Sequence, residues 1–456
     1  MLGDRRCLMG ESESKHAFIK KTAWEQFSDD QITQAYTFAE NYKHFLTTAK
    51  TEREAAEFIV SHAEKQQIQY FTNKNKEVAL VKIGKKPLSA GVRIVIAHID
   101  SPRLDLKQQP LFEDSEAHVG LLETHYYGGI KKYHWVTIPL ALHGVVICKN
   151  GETLIIKIGE KEDDPIFAVP DLLPHLSHEI QDSKKLSEAI KGESLDIVIG
   201  SKPIKGEFKE KIKAAILEHL HSTYGMIEED FVSAEIEAVP AFQPRDMGFD
   251  RSLVAAYGQD DRVCAYTTLQ AISDIHGTPE HTAIALFVDK EEIGSEGNTA
   301  AQVNTFLRSI LRTIDNQINI DTVLMQSKVI SADVNAAVTP NYSEVFELKN
   351  ASRLGFGIVM SKYTGHGGKY SAHDATAEYV GEIRKMLNDG KIPWQTAELG
   401  KVDDGGGGTV AKYFSRLGME VIDLGPPVMS MHSPFEVTSK VDVYSAYLAY
   451  KEFFKR

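Results

Sequence analysis

The chain has 456 residues, more than one compact core accommodates, so two domains are expected. Hydrophobic and charged fractions of 42% and 25% are those of a soluble globular protein. A net charge of -13 argues against a nucleic-acid binder, which carries a basic face, but leaves substrate charge open because a site's field is local.

The first ten residues carry two arginines with no apolar segment behind them, so no secretory signal is expected. Residues 29–66 show helical patterns. Ala35, Phe38, Ala39, Tyr42 and Phe45 recur at helical spacing, as do Ala55, Phe58, Ile59 and Ala63. Residues 92–99 are a nearly continuous apolar run, the pattern of a strand covered on both faces. The block 105–250 changes character. Short alternating strands dominate it, Asn150-Gly151 marks a hairpin turn between apolar runs, and one helical pattern interrupts at 207–221. It reads as a β-rich domain inserted into an α/β domain made of residues 1–104 and 251–456. Its longest apolar stretch, 138–148, falls short of the ~20 residues a membrane helix needs, so no membrane partner is expected. Apolar runs return at 283–288, 323–330 and 419–424, separated by helical patterns at 262–273, 300–313 and 409–417. That alternation predicts a mixed α/β sheet with a parallel component. Cys7, Cys148 and Cys264 are scattered and form no CxxC pair, which fits a reducing compartment and hence the cytoplasm.

Chemistry concentrates where the predicted strands end. His98 and Asp100 close the 92–99 run, and Glu291 and Glu292 follow 283–288. Asp333 follows 323–330, and His432 lies beyond 419–424 and a Gly-Pro-Pro turn. Asp260 and Asp261 stand just before the helix at Arg262. Open α/β sheets hold their ligands at the carboxyl ends of strands. Singly, each residue reads as a cap, a turn or a solvated face; together their types complete one site. Two imidazoles with several carboxylates and no thiolate suit catalytic zinc, with cobalt or manganese as substitutes. One carboxylate can bridge two such ions, which activate water and polarise a carbonyl or phosphoryl oxygen. Within His98-Ile-Asp100 the carboxylate is placed to hold the imidazole's tautomer.

Six segments occur in a consistent order: Ala97-His-Ile-Asp-Ser-Pro-Arg-Leu104, Gln259-Asp-Asp-Arg-Val263, Asp289-Lys-Glu-Glu-Ile-Gly-Ser295, Ser331-Ala-Asp-Val-Asn335, Pro340-Asn-Tyr342 and Met431-His-Ser-Pro-Phe-Glu436. With them, nearly the whole chain resembles the aspartyl aminopeptidase / vacuolar aminopeptidase I family. The resemblance implies a dinuclear zinc exopeptidase fold whose inserted β-rich domain serves oligomerisation. It implies an enzyme that takes one residue from a free peptide N-terminus. By resemblance, Asp260 bridges the metals, His98 and Asp333 complete one site, and Glu292 and His432 complete the other. Glu291 is then the general base and Asp100 orients His98, while Asp261 shapes the turn. His175 matches a histidine that reaches a neighbouring subunit's active site, and Lys362 matches a lysine near the substrate. Members form dodecamers with tetrahedral symmetry, so a homo-oligomer is expected.

Two departures bear on specificity. Asp333 is followed by Val-Asn-Ala-Ala-Val-Thr-Pro, where animal aspartyl-type members carry histidines, and Trp135 by Val-Thr-Ile-Pro-Leu, without the family's Asp-Arg. A neutral or hydrophobic first residue therefore stands beside an acidic one. Gly405–Gly408 lacks the spacing of a phosphate-binding loop and is expected to line the peptide cleft. Competing readings are another two-metal hydrolase, such as a carboxypeptidase or deacylase, and a catalytically silent scaffold. A silent scaffold is expected to have lost a ligand or the base, and this chain has lost neither.

Overall fold

The computed structural model describes residues 16–456. Cys7 and the N-terminal stretch examined for a secretory signal lie outside the described residues. Two long helices come early, Asp29–Thr48 and Glu52–Gln66. Both begin at capping boxes: Ser28 with Gln31, and Thr51 with Glu54. In each, the hydroxyl and the following side chain satisfy the amides left free at the helix start.

The central sheet has eight strands. Its middle is four parallel strands in the order Ala283–Val288, Arg93–His98, Lys328–Ser331 and Glu420–Gly425. Glu77–Lys82 joins one side antiparallel, and Ile358–Ser361 joins the other. Side chains alternate faces along a strand, so both faces of this sheet must be covered. Val95, Ala97, Ala285 and Phe287 enter a core beneath helices Asp29–Thr48, Gln259–Ser273 and Lys440–Lys455. Ile94, Ile96, Ile284 and Leu286 enter a second core beneath Thr305–Ile314 and Ile320–Gln326. Continuous apolar runs are the sequence trace of this two-sided burial.

A six-stranded antiparallel sheet occupies the middle of the chain, from Arg103–Asp114 to Ala234–Pro240. Its core includes Leu104, Leu122, Leu142 and Ile236, with Ile216 and Leu220 of helix Lys211–Tyr224 packed against it. The Asn150-Gly151 hairpin joins Leu140–Ile147 to Thr153–Ile158 in register. A five-stranded sheet pairs Leu253–Ala256 with Glu436–Ser439 and thereby ties the two ends of the outer block together. Among the described residues, no helix is long and apolar enough to cross a membrane.

One predicted strand is corrected. The run 323–330 divides into helix Ile320–Gln326 and strand Lys328–Ser331. Asn319 caps the helix by accepting from the Thr322 amide, and Ile320, Val323 and Leu324 form its buried face. A short apolar run fits a buried helix turn as well as a strand, and the capping asparagine decides here. The helices predicted at 300–313 and 409–417 shorten to Thr305–Ile314 and Ala411–Ser415.

Candidate metal centre

The four parallel strands all end on the same side of the sheet. His98 is the last residue of its strand, Glu291 and Glu292 begin a short turn after Val288, and Asp333 stands two residues beyond Ser331. The fourth strand runs on through Pro427–Met429 before reaching His432. Asp260 and Asp261 open helix Gln259–Ser273 with non-helical backbone angles, which turns their carboxylates away from the helix axis.

The result is two ligand groups that share one residue. Ligand atoms of His98, Asp260, Asp261 and Asp333 all lie within 4.8 Å of one another, and so do those of Asp260, Glu292 and His432. Asp260 Oδ1 is 3.1 Å from His98 Nε2, while Asp260 Oδ2 is 3.2 Å from His432 Nε2. His432 Nε2 also lies 3.4 Å from Glu292 Oε2. Glu291 belongs to neither group, yet its carboxyl interacts electrostatically with His98, Asp100, Asp260 and His432.

An outer layer holds these groups in place. Asp100 Oδ1 accepts from the Glu291 amide at 3.1 Å, and Asp100 Oδ2 accepts from the Glu292 amide at 3.2 Å. Asp100 Oδ1 also lies 3.3 Å from His98 Nδ1. His432 Nδ1 is 3.0 Å from the Gly129 carbonyl, so Nδ1–H donates there and the Nε2 lone pair, facing Asp260, is left for a cation. Glu436 receives the amides of His432 at 2.8 Å and Asp260 at 3.1 Å, one on each oxygen. His432 has φ of 63°, a left-handed conformation costly for a residue with a side chain, and the Glu436 bond fixes it there. If these groups hold metal, Glu436→Gln is expected to weaken binding of a divalent ion ~10–100-fold, the usual cost of losing an outer partner, and a metal titration of variant and parent checks this.

A model of the aminopeptidase I zinc metalloprotease family (M18) matches residues 35–454. A probable M18 family aminopeptidase 1 from Borreliella afzelii is 47% identical, with 96% of this chain and 99% of the relative covered. The chain belongs to the M18 family of aminopeptidases. It is a zinc metalloprotease, a peptide hydrolase. The crystal structure of an M18 aminopeptidase from Thermotoga maritima superposes with a TM-score of 0.92 at 44% identity, covering 96% of this chain and all of that one. The S. cerevisiae mApe1 dodecamer shares the fold at a TM-score of 0.73 and 18% identity, covering 92% of this chain and 96% of that one.

The donor set of this M18 chain fits metal. Burial pushes the carboxyls of Asp261, Glu292 and Asp333 well above their ordinary range, and that of Glu291 up to about 7. Asp260 goes the other way: hydrogen bonds to His432 and His98 outweigh burial and hold it low. Burial alone would lower the His98 imidazole, but Asp100 and Asp260 raise it well above the usual value. Among the described residues, Asp260 and Glu292 pair only with imidazoles, and Asp261, Asp333 and Glu291 have no ion-pair partner. Asp261 Oδ1 and Glu292 Oε1 are buried without a hydrogen bond. Carboxylates desolvated in this density need cations, and these orphaned oxygens are free to bind them.

A cleft of about 950 Å³ opens beside His432. Tyr133, Phe242, Tyr342, Phe346 and Phe435 supply most of its apolar wall, and Lys131 is the one lysine or arginine among its described lining residues. The Gly405–Gly408 loop is not part of that lining: Gly406–Gly407 pairs with Gly365–His366 in a small ribbon instead. Two further sequence candidates belong to neither ligand group: His175 is exposed on the short helix Pro174–Ser177, and Lys362 forms an ion pair with Asp374. Sequence reasoning passed over Glu436, although it stands four residues from His432 in a quoted motif. It also set Asp261 aside, whereas the fold brings Asp261 within ligand distance of His98 and Asp333.

Proposed function

We propose that this aminopeptidase uses two divalent ions, zinc in both places with cobalt or manganese as substitutes, to release an apolar first residue from peptides with a free N-terminus. The observation that carries this reading is Asp260, whose two oxygens each face a different imidazole within a different ligand group. His98, Asp333 and Asp260 would hold one ion, with Asp261 adjoining; Glu292, His432 and Asp260 would hold the other. When bound, such ions lower the pKa of water and polarise the scissile carbonyl. Glu291 takes the proton of the attacking water and returns it to the leaving amine. Asp100 orients His98 and, through the Glu291 amide, the base as well. The surplus of buried carboxylates suits a substrate ammonium, which favours action at a free N-terminus.

The aromatic wall beside His432 supports an apolar first residue. An acidic one would depend on Lys131, which is exposed. We further assign residues 105–250 as a dimerisation domain in a tetrahedral homo-dodecamer, a dodecamer being the assembly named for the yeast neighbour. Leu173, Leu176 and Ile180 are 50%, 65% and 62% exposed around His175, a surface suited to cover by another subunit. His175 would then reach the partner's site, and Lys362 would meet the substrate. The working setting is the cytoplasm, with no nucleic-acid or membrane partner.

A panel of aminoacyl reporter substrates tests the reading, assayed with zinc, cobalt and manganese. Leucyl or phenylalanyl substrates are expected to outpace aspartyl ones, and amine-blocked versions to fail. Turnover of blocked substrates at the free-amine rate would instead favour a deacylase using the same centre.

A further inference from the structure

Beyond the strand that ends at His98, the chain passes from the metal centre into the middle sheet. Three residues beyond Asp100 it enters the middle sheet as Arg103–Asp114, and the partner strand Val119–Tyr127 returns antiparallel. Arg103 and Tyr127 are direct cross-strand partners at the mouth of this hairpin. Tyr127 therefore comes back to Asp100, and its hydroxyl donates to Asp100 Oδ2 at 2.8 Å. The Arg103 guanidinium covers the Tyr127 ring, 3.9 Å from its centroid. Arg103 is itself buried and held by Asp105 at 2.8 Å, Glu237 at 3.1 Å and Glu52 at 3.4 Å.

We infer that Tyr127 is a positioning residue for the metal centre, acting from the middle sheet through Asp100. Asp100 has several tasks on two oxygens. Its Oδ1 lies 3.3 Å from His98 Nδ1, which also meets the Asp100 carbonyl at 3.1 Å, and its two oxygens receive the amides of Glu291 and Glu292. Each further hydrogen bond to such a carboxylate narrows the orientations it can take. Tyr127 supplies one such bond. The guanidinium over its ring draws electron density from the phenol and strengthens the O–H as a donor. Arg103, anchored by three carboxylates, cannot swing away. Loss of the hydroxyl leaves the fold and ring packing intact and the two amide bonds in place, but holds the Asp100 carboxylate less firmly against His98 and the Glu291–Glu292 turn.

This inference rests on His98 and Asp260 being metal ligands as proposed above, and the experiment separates the two. Zinc affinity is measured by competition with a chromophoric chelator in the parent enzyme, Tyr127→Phe and Asp260→Asn, alongside kcat, KM and thermal midpoint. Tyr127→Phe is expected to weaken zinc binding and lower kcat about tenfold each, the lower end of the effect of outer-layer partners. KM and the midpoint should stay at parental values. Incorporation of 3-fluorotyrosine at position 127 keeps the donor and should preserve both constants. Parental zinc affinity and kcat in Tyr127→Phe would overturn the inference. So would a lowered midpoint with unchanged zinc affinity, which marks a purely structural role. Retention of zinc by Asp260→Asn would sink the ligand assignment itself, independently of Tyr127.

Discussion

Glu291→Gln is expected to lower kcat by ~10²–10⁴-fold with zinc still bound, the usual contribution of a positioned proton-transfer group. The substitution keeps the shape of the side chain and removes its capacity to take a proton. Glu291 lies outside both ligand groups, so its loss should not empty them. Its amide bond to Asp100 is made by the backbone and survives the change. Burial sets the Glu291 carboxyl near 7, a long way above a surface glutamate, which suits a group that accepts a proton and gives it back. Bound cations draw it down again and favour the basic form. The measurement is steady-state turnover on a leucyl reporter, with zinc per chain determined on the same preparation. Turnover within a few-fold of the parent, with zinc retained, would assign the base elsewhere.

Asp260→Asn is expected to empty both halves of the centre at once. Among the described residues, no other side chain belongs to both ligand groups. Its two oxygens lie 3.1 and 3.2 Å from the two facing imidazoles, so a neutral amide presents one oxygen where two are needed. It also removes the carboxylate that the imidazoles keep ionised. With two ions per chain, as proposed, zinc should fall from two to less than one, and activity should fall by more than the ~100-fold typical of outer-layer losses. Elemental analysis after dialysis against a weak chelator checks the first figure. By contrast, replacing a residue of one group alone, such as His432, should spare part of the zinc. A variant at Asp260 that kept both ions would show that the two groups do not share a bridge.

Much of the sheet was legible because burial on both faces leaves a plain trace. Residues 283–288 are apolar throughout, 92–99 are apolar but for Arg93 and His98, and 419–424 but for Glu420 and Asp423; each contains or nearly matches a central strand. Candidate ligands were legible for a related reason: polar groups directly after such runs have few places to go except the strand ends. The 323–330 run was misread because apolar character does not distinguish a helix face from a strand. The local asparagine cap that settles it is a signal of one residue. The glycine loop was misplaced because glycine permits close approach without naming the surface approached.

Sequence alone determined which side chains are available for metal chemistry and that they follow buried strands, since residue type and apolar run length are written locally. Tertiary structure decided how they divide. Asp260 stands between two imidazoles that are 334 positions apart in the chain, and Asp261 is drawn within ligand distance of His98 and Asp333. Glu436, Tyr127 and the Gly129 carbonyl become supports of the centre only when distant strands meet. The cleft beside His432 is likewise walled by segments from across the chain. The physical reason is that coordination depends on distances of a few ångströms between residues far apart in sequence. Four parallel strands sharing one edge set those distances, and no local pattern encodes them.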